Sequence, residues 1–211
     1  TAGMESCVVN LVEPGEKVIV CRNGVFGGRL KEMVERCGGN TILVEDEWGR
    51  AVDPEKLRRA VAEHPDARLI FFVHAETSTG ALSDAATLAG IAREAGMLTL
   101  VDAVTSLGGA PLETDEWGID VVYAGTQKCL SCAPGLGPIT LGERALDKVR
   151  GRVAPVQSWF MDLNLVLGGG RTCRDVYVDG LASSLFCERV NGHQSITSST
   201  DPNTPANAPS S

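Results

Sequence analysis

The chain has 211 residues, 43% of them hydrophobic and 22% charged, which is enough apolar side chain for a sizeable core and excludes a chain disordered throughout. Lys and Arg number 19 against 27 Asp and Glu, and the resulting charge of −8 argues against nucleic acid or an anionic membrane as the main partner. No run reaches the roughly 18 to 20 apolar residues of a transmembrane helix, and Thr1 opens the chain without the basic and apolar regions of a signal peptide, so a fragment or processed chain is expected.

The 7 cysteines (Cys7, Cys21, Cys37, Cys129, Cys132, Cys173 and Cys187) are odd in number and dispersed, which fits a reducing compartment better than a disulfide framework. Cys129 and Cys132 form a CxxC. The histidines His64, His74 and His193 stand at no companion spacing, so no metal site is expected and the thiols read as ordinary buried or semi-buried side chains.

In chain order, Thr1-Ala2-Gly3 opens a helix whose first N–H groups are available to an anion. From there to about Leu167, short β-branched apolar runs alternate with segments of helical period, the pattern of a βαβ wind and hence of an α/β fold with a mostly parallel sheet. Strands are predicted over 17–21, 41–45, 68–74, 97–102, 120–124 and 138–141. The run Leu69-Ile70-Phe71-Phe72-Val73 is apolar throughout, as suits a strand covered on both faces. A helix from about Phe26 turns Leu30, Met33, Val34 and Cys37 inward and stops at Gly38-Gly39, where glycine accepts a left-handed conformation. Asp53-Pro54-Glu55 reads as the N-cap, first-position proline and first-turn acid of another helix, with Leu57 and Val61 on one face. Ser83 is predicted to start a further helix with Leu88, Ile91, Ala92 and Ala95 at helical spacing before Gly96.

After about Leu167 the periodicity weakens. Residues 195–211 are nearly all Ser, Thr, Pro and Asn and are predicted disordered, because they cannot bury enough apolar surface to offset their ordering entropy. The expected organisation is a large domain over 1–167, a divergent segment over 168–194 and a disordered tail over 195–211.

In a wound α/β sheet, ligands lie beyond the carboxyl ends of the strands, so the residues that follow each strand are the candidates. Four such places stand out: Thr1-Ala2-Gly3; the hydroxyl-rich His74-Ala75-Glu76-Thr77-Ser78-Thr79-Gly80; Asp102 at the end of an apolar run; and Gly125-Thr126-Gln127-Lys128. Singly, each also has an ordinary reading, Lys128 as a solvated charge, Asp102 as a cap, and Thr77 to Thr79 as a helix cap. Together, a lysine and a carboxylate after successive strands are the two protein groups that pyridoxal phosphate requires. A lysine attacks an aldehyde only as the free amine, so its ordinary pKa of about 10.4 has to fall. A carboxylate beside the pyridine nitrogen keeps that nitrogen protonated and the ring electron-withdrawing. Phe26 in Asn23-Gly24-Val25-Phe26-Gly27 is the candidate aromatic for the ring face.

These residues resemble the class V (fold-type I) pyridoxal-phosphate aminotransferases, specifically the alanine–glyoxylate and serine–glyoxylate or serine–pyruvate branch. The resemblance is carried by Glu13-Pro14-Gly15-Glu16-Lys17-Val18, Asn23-Gly24-Val25-Phe26-Gly27, His74 through Gly80, Val101-Asp102-Ala103-Val104-Thr105-Ser106-Leu107-Gly108-Gly109, and Gly118-Ile119-Asp120 through Lys128-Cys129-Leu130 to Pro134-Gly135. It implies a three-layer large domain, a homodimer, and transfer of an amino group from alanine or serine to glyoxylate or pyruvate through a lysine aldimine. It also implies roles. Lys128 is the aldimine lysine and Asp102 the pyridinium partner; Thr77 bonds the phenolic oxygen; Val104 and Phe26 cover the two ring faces; Gln127 reaches the phosphate; and Thr1 ends the family's phosphate-binding turn.

The resemblance stops after about Leu167. The family's smaller C-terminal domain, with the arginine that grips the substrate carboxylate, is not recognisable here. Arg171-Thr172-Cys173-Arg174-Asp175 stands where the family has an Arg-x-Tyr-His-His-Thr stretch. One alternative is therefore a truncated, catalytically inactive product of this family. Another is a phosphonate aminotransferase. A cysteine desulfurase is the weaker alternative, because Gln127 and Val104 replace the histidine and glutamine that reading needs. The cytoplasm is the expected location, since Pro209-Ser210-Ser211 is no peroxisomal address, although some relatives are peroxisomal or mitochondrial.

Overall fold

A computed structural model describes residues 1–167, 175–179 and 185–188. The elements run α1 (Ala2–Leu11), β1 (Lys17–Arg22), α2 (Val25–Arg36), β2 (Asn40–Glu45), α3 (Pro54–Glu63), β3 (Leu69–Val73), β4 (Ala75–Glu76), β5 (Ala81–Leu82), α4 (Ala85–Glu94), β6 (Leu98–Asp102), β7 (Val121–Tyr123), β8 (Leu136–Leu141), α5 (Glu143–Arg150), α6 (Leu163–Leu167), β9 (Asp175–Asp179) and β10 (Leu185–Glu188). The main sheet has the order β10-β9-β8-β7-β6-β3-β1-β2. Pairing is parallel from β2 through β7 and antiparallel at β7–β8, β8–β9 and β9–β10.

The period of two along each strand divides the core into two layers. Val18, Val20, Leu69, Phe71, Leu100, Val121 and Tyr123 face one side, packed with Met4, Val8 and Leu11 of α1, Leu30 and Val34 of α2, and Leu146 and Val149 of α5. Ile19, Cys21, Ile70, Phe72, Val101 and Val122 face the other, against Leu57 and Ala60 of α3 and Leu88, Ile91 and Ala92 of α4. Both faces of β3 are buried, which accounts for its unbroken apolar run.

The predicted elements are all present, with boundaries moved by one or two residues. Asp53 caps α3 as expected, its carboxylate accepting the Glu55 N–H at 2.9 Å with Pro54 at the first position. Gly38 takes a φ of 79° after α2, as expected. α4 starts later than predicted: Asp84 is its cap, accepting the Thr87 N–H at 3.1 Å, while Ser83 is buried and its Oγ accepts the Val52 N–H at 3.2 Å. The 126–136 loop reverses the chain direction, which turns β8 antiparallel. Cys7, Cys21 and Cys37 are buried, whereas Cys129 and Cys132 are exposed rather than buried thiols. Among the described residues, no helix is long and apolar enough to cross a membrane and no group of side chains is arranged to hold a metal. The predicted disorder of 195–211 and the divergent Arg171-Thr172-Cys173-Arg174 lie outside the described residues.

Candidate active site

The carboxyl ends of three parallel strands come level. Val73 pairs with Asp102 and Asp102 with Tyr123, so His74, Asp102 and Ala124 emerge at one edge of the sheet. Beside this edge lies a cleft of about 310 Å³, lined by Thr1, Ala2 and Gly3 at the start of α1, Val104 after β6, Ala124, Gly125 and Gln127 after β7, and residues 134–137 at the start of β8 and just before it. Thr1 makes no side-chain cap to α1, and the first N–H groups of an α-helix have no partner in its own repeat, so the helix start adds polarity to the cleft wall.

Asp102 follows Leu98 and Leu100 at the strand period and so belongs to the face that α1 covers. It is 3% exposed. Its Oδ1 accepts the Val104 N–H at 2.9 Å, and its Oδ2 accepts the Tyr123 hydroxyl at 2.6 Å. Burial pushes its pKa up, while the Tyr123 hydroxyl and then the Val104 N–H hold it down. Among the described residues no side-chain cation pairs with this carboxylate.

The turn that follows β7 carries Gln127 and Lys128, both exposed. Thr126 shapes it: the Thr126 Oγ1 donates to Ala133 O at 2.7 Å, the Thr126 N–H to Leu136 O at 3.2 Å, and Cys132 N–H to Thr126 O at 2.9 Å. The Lys128 ammonium has no hydrogen-bond or ion-pair partner among the described residues, and it stands next to Gln127 without lining the cleft. Cys129 Sγ lies 3.2 Å from Thr105 O, which joins this turn to the loop after β6. Thr105 in turn donates to Ala75 O at 2.8 Å and shares a 2.9 Å hydrogen bond with Thr77 Oγ1.

Phe26 sits in the first turn of α2. The buried Glu76 carboxylate reaches that turn from fifty positions away, accepting Phe26 N–H at 3.1 Å and Gly27 N–H at 3.2 Å through Oε2, and Ser78 N–H and Oγ through Oε1. Ser78 Oγ accepts the Val25 N–H at 3.0 Å. The approach requires glycine at position 24, since a β-carbon there would stand 2.4 Å from Glu76 Cγ. The Arg29 guanidinium covers the Phe26 ring at 4.9 Å and donates to Thr1 Oγ1 at 3.2 Å.

Thus Thr1, Val104 and Gln127 share one cleft wall, and Asp102 lies directly behind Val104. Thr77, Phe26 and Lys128 are tied to that group through Thr105, Arg29 and Gln127 rather than by lining the cleft. Two supporting residues had no site signal in the sequence: Tyr123 lies in the predicted strand at 120–124, and Thr126 inside a motif singled out for its lysine. Glu76 stood out only as the one acid of the hydroxyl-rich motif at 74–80. Arg29 was legible only as the helical i+3 neighbour of Phe26. An anionic phosphate group and a cationic ring nitrogen fit what is present: a helix start lining the cleft, and, behind its wall, a buried carboxylate with no side-chain cation paired to it among the described residues.

Comparison with known proteins agrees. Residues 1–156 match the family described as aminotransferase class-V. The (S)-ureidoglycine–glyoxylate transaminase of Bacillus subtilis is 38% identical over 151 residues, covering 72% of this chain and 36% of that one. The alanine–glyoxylate aminotransferase of Oryctolagus cuniculus is 35% identical over 163 residues, covering 77% and 41%. The crystal structure of an alanine–glyoxylate aminotransferase from Nostoc sp. superposes with a TM-score of 0.75 at 42% identity, covering 78% and 44%. The chain therefore spans less than half the length of these relatives. The match over 1–156 and these identities make this chain a member of the class V aminotransferase family, whose fold is that of the fold-type I pyridoxal-phosphate enzymes.

Proposed function

We propose that this chain is the cofactor-binding large domain, residues 1–167, of a pyridoxal-phosphate-dependent transaminase that moves an amino group from alanine or serine to glyoxylate or pyruvate. The observation that carries the reading is Asp102: a carboxylate that is 3% exposed, held by neutral donors alone, behind a cleft that begins at a helix N-terminus. Glyoxylate as acceptor is supported by the names of both curated relatives, and those names give ureidoglycine as a further donor to assay beside alanine and serine.

When bound, the cofactor supplies a protonated pyridine ring that withdraws electrons from the substrate α-carbon. Asp102 would be the counter-charge for that ring nitrogen, Val104 and Phe26 would cover the ring, Thr77 would serve the phenolic oxygen, and Thr1, Gln127 and the first turn of α1 would hold the phosphate. Lys128 would be the amine that holds the cofactor's aldehyde carbon, and as a free amine it would serve as the base for the substrate α-proton. Acid–base work of this kind contributes about 10²- to 10⁴-fold in rate. The assembly is a homodimer.

The test is an absorbance spectrum of the purified chain with pyridoxal phosphate, followed by borohydride reduction and peptide mass mapping, beside Lys128→Ala. A visible band, with the cofactor fixed at Lys128 and lost in the variant, is the expected result and leads to donor assays with glyoxylate. No band, or label scattered over surface lysines, overturns the reading.

A further inference from the structure

We infer that Tyr123 is a positioning residue of this site, its hydroxyl holding the Asp102 carboxylate in place and ionised for a cationic ring nitrogen; the inference rests on the functional reading above. The placement follows from the sheet. β6 and β7 are parallel neighbours, and Asp102 and Tyr123 are register partners at their carboxyl ends, so the two side chains stand side by side on the same face. Tyr123 is 1% exposed, and its hydroxyl donates to Asp102 Oδ2 at 2.6 Å. The other oxygen is held by the Val104 N–H, so both carboxylate oxygens are tied to fixed elements. A β-carbon at Gly3 would lie 3.7 Å from the Tyr123 ring, so the ring also rests on the first turn of α1, at the cleft.

The chemistry of the donor matters. An arginine or lysine in place of Tyr123 would hold the carboxylate equally well, but would cancel its charge. A phenol and a backbone N–H stabilise the anion without adding a positive side chain to cancel its charge, which is the state a ligand cation seeks. Tyr123 itself stays neutral, since burial and then the neighbouring Asp102 charge push its own ionisation far up.

The experiment uses the 211-residue chain, with Asp102 followed by carboxyl ¹³C NMR against pH in the ligand-free protein, and pyridoxal phosphate titrated separately by absorbance. In Tyr123→Phe the Asp102 midpoint is expected to rise by about one to two pH units, since a hydrogen bond to a charged group is worth that much. Cofactor affinity near neutral pH falls with it, and Tyr123→Phe has no further effect on affinity in an Asp102→Asn background. Should the phenylalanine variant fold poorly, 3-fluorotyrosine at position 123 keeps the ring and makes a stronger donor, and the midpoint is expected to move down. An Asp102 midpoint that moves in neither variant overturns the inference, as does a Tyr123→Phe affinity loss that persists without the Asp102 charge. If the unaltered chain binds no cofactor, the functional reading fails and the NMR midpoint still decides whether Tyr123 controls Asp102.

Discussion

Asp102 and Asp120 are buried aspartates of 3% and 6% exposure at opposite ends of neighbouring strands, and burial raises the pKa of both. Asp120, at the amino end of β7, accepts the Thr99 N–H at 2.9 Å and faces the Arg144 guanidinium at 3.4 Å, which also donates to Gly96 O and Met97 O. Asp102, at the carboxyl end of β6, has a phenol and one backbone N–H. Equal burial therefore has two outcomes: the charge with its own cation closes a structural corner, and the charge without one is open to a ligand. Glu76 is a third case, wholly buried, with the N-terminus of α2 as its positive end.

Exchanging the two aspartates for asparagine is the sharpest way to break this contrast. Asp102→Asn should weaken pyridoxal-phosphate binding by about 100-fold without lowering the urea stability of the ligand-free chain at neutral pH. Asp120→Asn should leave affinity unchanged and change stability by no more than about 1 kcal/mol, because the ion pair it removes is with a partly exposed arginine. Equal losses of affinity in the two variants would show that the contrast is not functional.

Glu76→Ala leaves the start of α2 without its acceptor and should remove about 2 kcal/mol in chemical denaturation, while Glu76→Gln, which keeps an acceptor and loses the charge, removes about half of that. A free choice of residue at position 76 would mean that the helix start is held by Ser78 alone.

The pH dependence sharpens the comparison further. A carboxylate whose folded pKa is raised binds its proton more tightly when folded, so stability is highest below the ordinary aspartate range and falls as pH rises through the raised value. Both Asp102 and Asp120 contribute this slope to the ligand-free chain. Saturating cofactor should flatten the Asp102 part, which is the part absent from Asp102→Asn. Denaturation midpoints from pH 4 to pH 8, with and without pyridoxal phosphate, read the difference.

His74 gives the smallest expected effect, of opposite sign. It is 3% exposed, its ring stands edge-on to Trp117 at 6.4 Å, and burial lowers its pKa from the ordinary 6.5. Stability tied to its neutral form is present above 6.5 and is lost as pH falls through the lowered value, a drop on acidification that His74→Leu should lack in the same denaturation series.

The local features of the fold were legible in the residues. The apolar runs within Lys17–Arg22 and Leu69–Val73, the Asp53-Pro54 start of α3 and the glycine stop of α2 each follow from dihedral, capping or burial preferences that act within a few residues. Asp102 and Lys128 were legible too, because strand ends in such a sheet are where chemistry collects. Ser83 misled because serine caps helices well in general, and only the contact with Val52 shows it otherwise engaged.

The residues by themselves determined the alternation of strands and helices, the family, and the candidates Asp102, Lys128, Thr77, Phe26, Val104, Gln127 and Thr1. The tertiary structure alone decided which of them share a cleft wall, that β8 runs antiparallel, that Tyr123 lies beside Asp102, and that Glu76 holds the start of α2. The physical reason is range. Propensity and capping act over a turn of chain, whereas strand register and a carboxylate reaching across fifty residues depend on how whole elements pack, which no local pattern encodes.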